Sequence, residues 1–354
     1  MTSRVAALPQ WAALAALALL AGIIAYGVRL PDVTRPDPHR PPPSRTDMGF
    51  YRRVVARVRA GEPYEAAAVT EQRAEHYALR PFLTVRPPWL AEFLAWLPRG
   101  AASRVMAVLA LAVIGAWMVR LWPLAPGPAG LAWSGIGLAC GVGWAFFSKV
   151  ELSLIHEAWA GLLIALSLAL RRERRFGAAV LVGLLAALIR ELAMPYLLVM
   201  AALAVMDKKR GEALAFAATL AIALLALAWH AHALAPLIRS TDKASKGWLA
   251  LGGWPFVLSA ARWNVLILLA GQWLAAILVP LALLGAAARN GPLATRLAIL
   301  LAGYLGGFLI FGRPENYYWG FIIAPLIGAG VVLAPPAIVD LIRAAARRPR
   351  LAPA

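Results

Sequence analysis

Ten long apolar runs constrain this chain more than any other feature of its sequence. Most of them approach the length that a helix needs to cross a bilayer, roughly 20 mostly apolar residues. Hydrophobic residues make up 62% of the 354 residues and charged residues only 15%, which leaves too few polar side chains to cover a soluble globule. We therefore predict an all-α polytopic protein with about ten transmembrane helices, forming a single membrane domain over residues 1–354. The runs are residues 11–28, 105–121, 130–147, 154–170, 176–189, 193–206, 213–234, 265–287, 297–311 and 320–341.

Two of the runs need separate interpretation. The fifth and sixth are short and are separated by Arg190 and Glu191. One continuous helix would bury both charges in mid-membrane, which is costly, so we predict two short helices that meet near one face. The first run could be a signal peptide, but its apolar core is longer than the usual 7–15 residues, which favours a retained anchor.

The excess of positive charge predicts the orientation. There are 35 basic and 17 acidic residues, for a net charge of +18. In a soluble protein this excess would indicate nucleic-acid binding, but here much of it lies in short segments between apolar runs, and we expect no nucleic-acid partner. Basic loops stay on the cytoplasmic side of bacterial inner membranes. The pattern predicts an inner-membrane protein with both termini in the cytoplasm; the basic segments are residues 171–175, 207–210, 289–296 and 343–350.

This orientation places a long loop, residues 30–104, on the periplasmic side. Its first part, residues 31–43, is rich in proline and predicts an extended strap. An amphipathic basic helix is predicted over 48–60, ending at Gly61, with further helices over 63–77 and 88–97. We expect these helices to rest on membrane lipids and to shelter a cavity at the outer surface.

Asp47 stands between the strap and the first of these helices. Aspartate at this position is a common N-cap. At the edge of a sheltered cavity it could equally be a general base. The two roles are compatible.

His156 and Glu157 begin the fourth apolar run. They are not part of a zinc-protease motif, because Ala160 occupies the position of the second histidine. A His-Glu pair at the edge of the hydrocarbon is costly, so it either pairs with Arg190 or faces a wet cavity. A structural pair and a catalytic or binding role both remain open.

Two outer turns carry acids and bases together, at Arg190-Glu191 and at Arg313-Pro314-Glu315-Asn316. They could form ion-pair networks that join helix ends. Alternatively, the guanidinium groups could bind the phosphate of a lipid while the carboxylates hold them in place. Arg80 and Arg86 could contribute from the long loop. Tyr317, in the aromatic stretch that follows the second turn, suits an interfacial belt or a sugar platform.

Other motifs are few. Gly303 and Gly307 lie four residues apart and predict close helix packing. The single cysteine, Cys140, excludes an intrachain disulfide or a cysteine-rich metal cluster. The sequence contains no phosphate-binding glycine loop and no GxSxG elbow.

The first outer loop resembles that of integral-membrane glycosyltransferases of the C-type fold, in particular bacterial mannosyltransferase-like members. Early in the loop an acidic residue is followed by aromatic residues, in Asp47-Met48-Gly49-Phe50-Tyr51. A Gly-x-x-Tyr motif follows in Gly61-Glu62-Pro63-Tyr64. Arg80-Pro81 and Arg86-Pro87-Pro88 follow. Many members carry paired acids in this loop, whereas here Met48 follows Asp47. The resemblance therefore leaves a divalent-metal cofactor open.

The resemblance implies transfer of a sugar from a polyprenyl-phosphate donor to a glycan, lipid or protein acceptor on the periplasmic side. Asp47 would remove the acceptor proton in an inverting displacement, and Arg190, Arg313 or loop arginines would stabilise the leaving phosphate. The alternative is a transporter or flippase for a polyprenyl-linked or anionic substrate. The sequence has no convincing internal repeat of the kind that transporters commonly contain. A structural membrane subunit would not require an acid and several arginines at one outer cavity.

Overall fold

The protein is described by a computed structural model over residues 3–33, 47–124, 127–147, 150–262, 267 and 270–347, apart from the side chains of residues 47, 147, 150 and 151. Within these ranges the secondary structure consists of α- and 3-10 helices, and β pairing is limited to isolated bridges. The prediction of an all-α fold is confirmed. The proline-rich strap lies almost wholly outside the described residues.

Five of the described helices are long and apolar enough to cross a membrane. They are α1 (Gln10–Arg29), α5 (Ala101–Leu121), α11 (Arg210–Leu234), α14 (Pro292–Phe311) and α15 (Ala324–Ala345). Four shorter apolar helices accompany them, namely α8 (His156–Leu170), α9 (Gly177–Ile189), α10 (Met194–Met206) and α13 (Gln272–Ala287). The remaining helices described here are α2 (Asp47–Arg59), α3 (Tyr64–Ala74), α4 (Trp89–Trp96), α6 (Gly127–Val142), α7 (Trp144–Phe147) and α12 (Gly253–Ala261). The predicted apolar runs thus coincide with helices, as expected for a membrane-embedded protein.

The chain forms two compact units and passes between them at four points, one of which falls within α5. The first unit contains Met1–Thr34, Ile114–Trp144 and Leu249–Ala354, and the second contains Arg35–Val113 and Ala145–Trp248.

In the first unit, α15 packs against α13, α6 and α1. Glycines permit the closest approach: a Cβ on Gly285 of α13 would lie 2.3 Å from the carbonyl oxygen of Gly330 on α15. The predicted close packing at Gly303 and Gly307 is wrong, because a Cβ at either position would have no described atom within 4 Å. Spacing alone indicates which glycines share a helix face, but not whether a neighbour covers that face.

In the second unit, α8 packs on α9, while α11 packs on both α9 and α10. Helix α9 ends at Ile189, a 3-10 turn covers Glu191–Ala193, and α10 begins at Met194. Arg190 itself is extended, with φ −149° and ψ 118°. The prediction of two short helices is therefore confirmed.

Residues 47–97 of the same unit contain three α-helices, as predicted. Helix α2 packs on α3 and α4. Gly61, with φ +95°, terminates the turn after α2, a conformation that glycine adopts without steric cost. Arg53 joins α2 to α3 by donating to Glu71 at 2.6 Å, and Arg59 joins α2 to α4 by donating to the Leu94 carbonyl at 2.7 Å. These contacts fix three surface helices as one layer.

Candidate functional site

A buried ion pair marks the start of α8. Arg190 Nε donates to Glu157 Oε1 at 2.6 Å, and each side chain is only 2% exposed. Glu157 lies in the first turn of α8, while Arg190 sits where the chain breaks between α9 and α10. The break frees Arg190 from helical geometry and lets its guanidinium reach α8. The predicted pairing of the His-Glu motif with Arg190 is thus present, through Glu157.

Two further charges extend this pair. Arg86 Nη2 lies 3.7 Å from the same Glu157 oxygen, and Arg190 Nη1 donates to Glu191. Arg86 belongs to the segment between the 3-10 turn Phe82–Thr84 and α4. The cluster therefore contains two guanidinium groups and two carboxylates, so that its charges balance. Buried charges are stable only when paired in this way.

An aromatic and polar cavity of about 30 Å³ lies beside the cluster. Its walls come from the surface helices α2, α3 and α4, from the 82–86 segment, and from the start of α8. A small-molecule site typically has this composition, apolar and aromatic walls with a few polar groups. The lining includes Phe50, Tyr51, Val54, Val55, Tyr64, Gln72, Thr84, Arg86, Leu90, Ala91, Leu94, Leu154 and His156.

His156 is the most unusual member of this lining. The residue is 3% exposed, and neither ring nitrogen has a hydrogen-bond partner among the described residues. The centre of the Tyr51 ring lies 5.5 Å from the centre of the imidazole. Thr84 Oγ1 is likewise buried without a described partner. Buried polar groups in folded proteins are nearly always hydrogen-bonded, so these two are exceptions.

The α3 side of the cavity is held by two hydrogen bonds. The Tyr64 hydroxyl donates to the Arg86 carbonyl at 2.7 Å, and burial raises the pKa of that hydroxyl. Next to it, Glu65 Oε1 lies 3.4 Å from His230 Nδ1, and this contact lowers the pKa of the Glu65 carboxyl. His230 is buried, whereas His232 is exposed.

A second, larger space adjoins the cavity. This groove of about 470 Å³ is bordered by three arginines, Arg52, Arg59 and Arg99. It shares three apolar lining residues with the cavity: Val55, Leu94 and Leu154. The two spaces are therefore neighbours, one aromatic, the other basic and partly apolar.

Arg80, another predicted residue of the second unit, is not among the described residues that line the cavity. Arg80 is exposed, and its Nε donates to the carbonyl of Asp242 at 2.8 Å. Asp47 begins α2, but its side chain lies outside the described part of the chain. Its role as a base stays a prediction.

The second predicted turn belongs to the first unit. Arg313 precedes the 3-10 helix Pro314–Ile322, and its carbonyl accepts from the Asn316 backbone N–H at 2.8 Å. Glu315 is exposed. The ring centres of Tyr317 and Tyr318 are 6.0 Å apart. The structure thus places Arg86, His156, Glu157, Arg190 and Glu191 together, and places Arg313, Glu315, Asn316 and Tyr317 in the other unit.

A bound metal would need several ligands at one point. Among the residues with described side chains, no three His, Cys, Asp or Glu come close enough to hold one. We therefore derive no chemical step through a metal.

The aromatic lining was not assigned from the sequence. Tyr51 and Tyr64 both stand in the loop motifs of the glycosyltransferase resemblance, yet no site role was predicted for either. Their spacing on α2 and α3 was the available signal.

No protein-family model, curated protein or solved structure matches this chain.

Proposed function

We propose that the protein is a membrane glycosyltransferase that transfers a sugar from a polyprenyl-phosphate donor to a hydroxyl of an acceptor. The observation that carries this proposal is the groove of about 470 Å³, in which arginines and apolar side chains lie together beside the aromatic cavity. A polyprenyl-phosphate sugar combines an anionic phosphate with an apolar lipid chain in the same way.

The lining of the groove suits both parts of such a donor. Arginine forks match phosphate oxygens, and Arg52 and Arg99 border the groove together with apolar side chains. Arg59, the third arginine of the border, already donates to the Leu94 carbonyl. The groove therefore offers cations to the phosphate and apolar surface to the lipid chain. Arg190 is already engaged by two carboxylates, so in this proposal it positions Glu157 and does not bind the phosphate.

The chemistry is a single displacement. The acceptor hydroxyl attacks the anomeric carbon, a base takes the hydroxyl proton, and the bond from that carbon to the phosphate oxygen breaks with its electrons on the leaving polyprenyl phosphate. Attack opposite the leaving group inverts the anomeric centre. Asp47 is the proposed base, and a positioned base typically contributes roughly 10²- to 10⁴-fold in rate.

The test uses the purified full-length protein in lipid nanodiscs, with polyprenyl-phosphate hexoses and pentoses as donors and lipid extracts and short glycans as acceptors. We expect release of polyprenyl phosphate together with an inverted glycosyl product. Asp47→Asn should lower turnover by about 10²-fold or more, and Arg99→Gln should raise the KM for the donor. The matched control is Arg80→Gln, which changes an arginine of the same loop that does not line either space.

The competing transporter function gives a different result. In sealed proteoliposomes a flippase would move the intact glycosyl lipid across the bilayer without consuming it. Movement without consumption for every donor would contradict the enzyme proposal.

A further inference from the structure

We propose that five arginines at one end of the first unit bind the head group of an anionic phospholipid. This set, the arginine patch, consists of Arg4, Arg289, Arg296, Arg343 and Arg347. All five belong to the first unit, whereas the cavity and the groove belong to the second. The inference therefore goes beyond sugar transfer and does not depend on it.

Three segments of the chain meet at this end of the unit. The backbone N–H of Arg4 donates to the Ala288 carbonyl at 2.7 Å, between α13 and α14. The 3-10 turn Val5–Ala7 packs against α15. Gln10, at the start of α1, donates from its side chain to the Ala345 carbonyl at 3.0 Å, at the end of α15. These contacts join the start of α1, the connection from α13 to α14 and the end of α15.

The three segments carry a large excess of positive charge. Residues 3–10, 284–300 and 338–347 contain five arginines and a single acidic residue, Asp340. Their net charge is therefore +4. Because arginine stays protonated at any physiological pH, this charge is permanent.

Arg4 is held in place by neutral groups. Its Nε donates to the Asn290 side-chain oxygen at 3.1 Å, and its Nη2 donates to the Thr295 hydroxyl at 2.5 Å. Nη1 donates to the Ala287 carbonyl at 3.4 Å. These bonds orient an exposed guanidinium but leave its charge uncompensated.

Arg289 is the buried member that most needs a counter-charge. It is 9% exposed, and no hydrogen bond or ion pair of the described residues engages its guanidinium. Of its three side-chain nitrogens only Nε is closed to solvent, so a ligand can reach the two terminal nitrogens. Two other buried arginines, Arg171 and Arg190, each pair with a glutamate. A buried charge without a partner is costly, and an external anion would supply the partner that Arg289 lacks.

The position of the patch favours a lipid as the source of that anion. Helices α1, α14 and α15 are long and apolar enough to cross a membrane, and the patch lies where α1 and α14 begin and α15 ends. Basic groups at the ends of such helices attract anionic head groups, and arginine forks match phosphate oxygens. Trp11 and Ile342 are exposed beside Arg4 and Arg343 in the helices and offer apolar surface to the acyl chains.

The first test measures lipid binding to the purified full-length protein by native mass spectrometry. Phosphatidylglycerol and phosphatidylcholine with identical acyl chains are compared in the same detergent. We expect the wild type to retain phosphatidylglycerol about 25-fold more strongly, and Arg4→Gln to lower that preference about fivefold, the effect of one cation near an anionic lipid surface. The matched control is Arg174→Gln, which removes an exposed arginine from a basic loop of the other unit.

The second test uses Arg289→Gln and the thermal transition temperature in nanodiscs. In phosphatidylcholine alone this variant should be at least as stable as the wild type, because the substitution removes a buried charge that has no described partner. Phosphatidylglycerol should raise the transition temperature of the wild type and have little effect on the variant. A less stable variant that still responds fully to phosphatidylglycerol would overturn the inference.

Three further results would also overturn it. The wild type could retain the two lipids equally. The preference for phosphatidylglycerol could fall as much in Arg174→Gln as in Arg4→Gln, which would indicate a general effect of net charge. Inorganic phosphate, added to phosphatidylcholine nanodiscs, could stabilise the wild type as much as phosphatidylglycerol does, which would identify a soluble anion as the ligand. None of these measurements involves sugar transfer, so their failure is distinct from failure of the proposed function.

Discussion

Helix α8 carries a buried arginine–glutamate pair at each end, and the two pairs differ in what surrounds them. At the carboxyl end, Arg171 binds Glu212 through two parallel hydrogen bonds of 2.7 and 2.8 Å. At the amino end, Glu157 binds Arg190 and also faces Arg86. The 15 residues of α8 separate the pairs by about 22 Å along the helix axis.

The geometry of each pair indicates its role. The Arg171–Glu212 pair uses both carboxylate oxygens against one guanidinium fork, the arrangement that best holds two helices together. The Glu157 pair is part of a four-charge cluster beside a cavity, and its neighbour in sequence is His156, whose ring nitrogens have no partner among the described residues. Burial of an ion pair alone therefore does not identify a functional site. An adjacent polar side chain that lacks a partner is the more informative feature.

The largest expected effect comes from Glu157→Gln. This change leaves Arg190 and Arg86 with less compensating charge in a buried position, and breaking a buried pair typically costs about 3–5 kcal/mol. We expect a large fall in the thermal transition temperature in detergent. We also expect loss of transfer activity per folded molecule, by about 100-fold, because the cluster borders the cavity. Normal transfer by the folded variant would contradict the functional assignment of this pair.

Glu212→Gln is the matched variant at the other end of the helix. Its stability cost should be similar, about 3–5 kcal/mol, because Arg171 is buried to the same extent as Arg190. Turnover per folded molecule should remain close to that of the wild type. Chemical unfolding monitored by tryptophan fluorescence measures the stability cost, and the nanodisc assay measures turnover. A selective loss of turnover here would remove the distinction between the two pairs.

Arg190→Lys is a finer change. Lysine keeps the positive charge but lacks the planar fork that contacts Glu157 and Glu191 at the same time. We expect turnover to fall by about tenfold with little change in the KM for the donor, because Arg190 positions Glu157 and does not contact the phosphate. An increase in KM alone would instead indicate that Arg190 binds the donor.

The smallest effect concerns the contact beside the cavity on α3. The pKa of Glu65 is lowered from 4.5, chiefly by its hydrogen bond with His230. A carboxyl with a lowered folded-state pKa adds stability above its unfolded pKa, near 4.5, and that stability is lost as the pH falls through the folded-state pKa. We expect His230→Phe, which removes the ring nitrogens, to cost about 1 kcal/mol of stability at pH 6 and to flatten the acid limb of the stability curve. Denaturant unfolding at pH 3 to 6 measures this stability, with His232→Phe as control; identical acid limbs would refute the linkage.

The sequence predicts most of the helices, and for physical reasons. An apolar run of membrane length has few alternatives to a helix, and the cost of burying Arg190 and Glu191 in mid-membrane predicts the break between α9 and α10. The amphipathic helix α2 follows from its periodicity and from Gly61.

The site is only partly predictable, because it depends on tertiary contacts. The charged residues near Arg190 could be proposed as site residues from the sequence, because charged side chains within an apolar run have a high free-energy cost. The choice between ion pairing and phosphate binding could not, since it depends on which carboxylates reach the guanidinium. Likewise, nothing in the local pattern around Tyr51 indicates that its ring meets His156, which lies 105 positions further along the chain.

The most direct test of the account is a cryo-electron microscopy structure of the protein in nanodiscs with the best-bound polyprenyl-phosphate sugar. We expect density for the phosphate in the groove beside Arg52 and Arg99, with the lipid chain over the apolar side chains of the groove. An empty groove, with the glycosyl lipid bound elsewhere on the protein, would contradict the account.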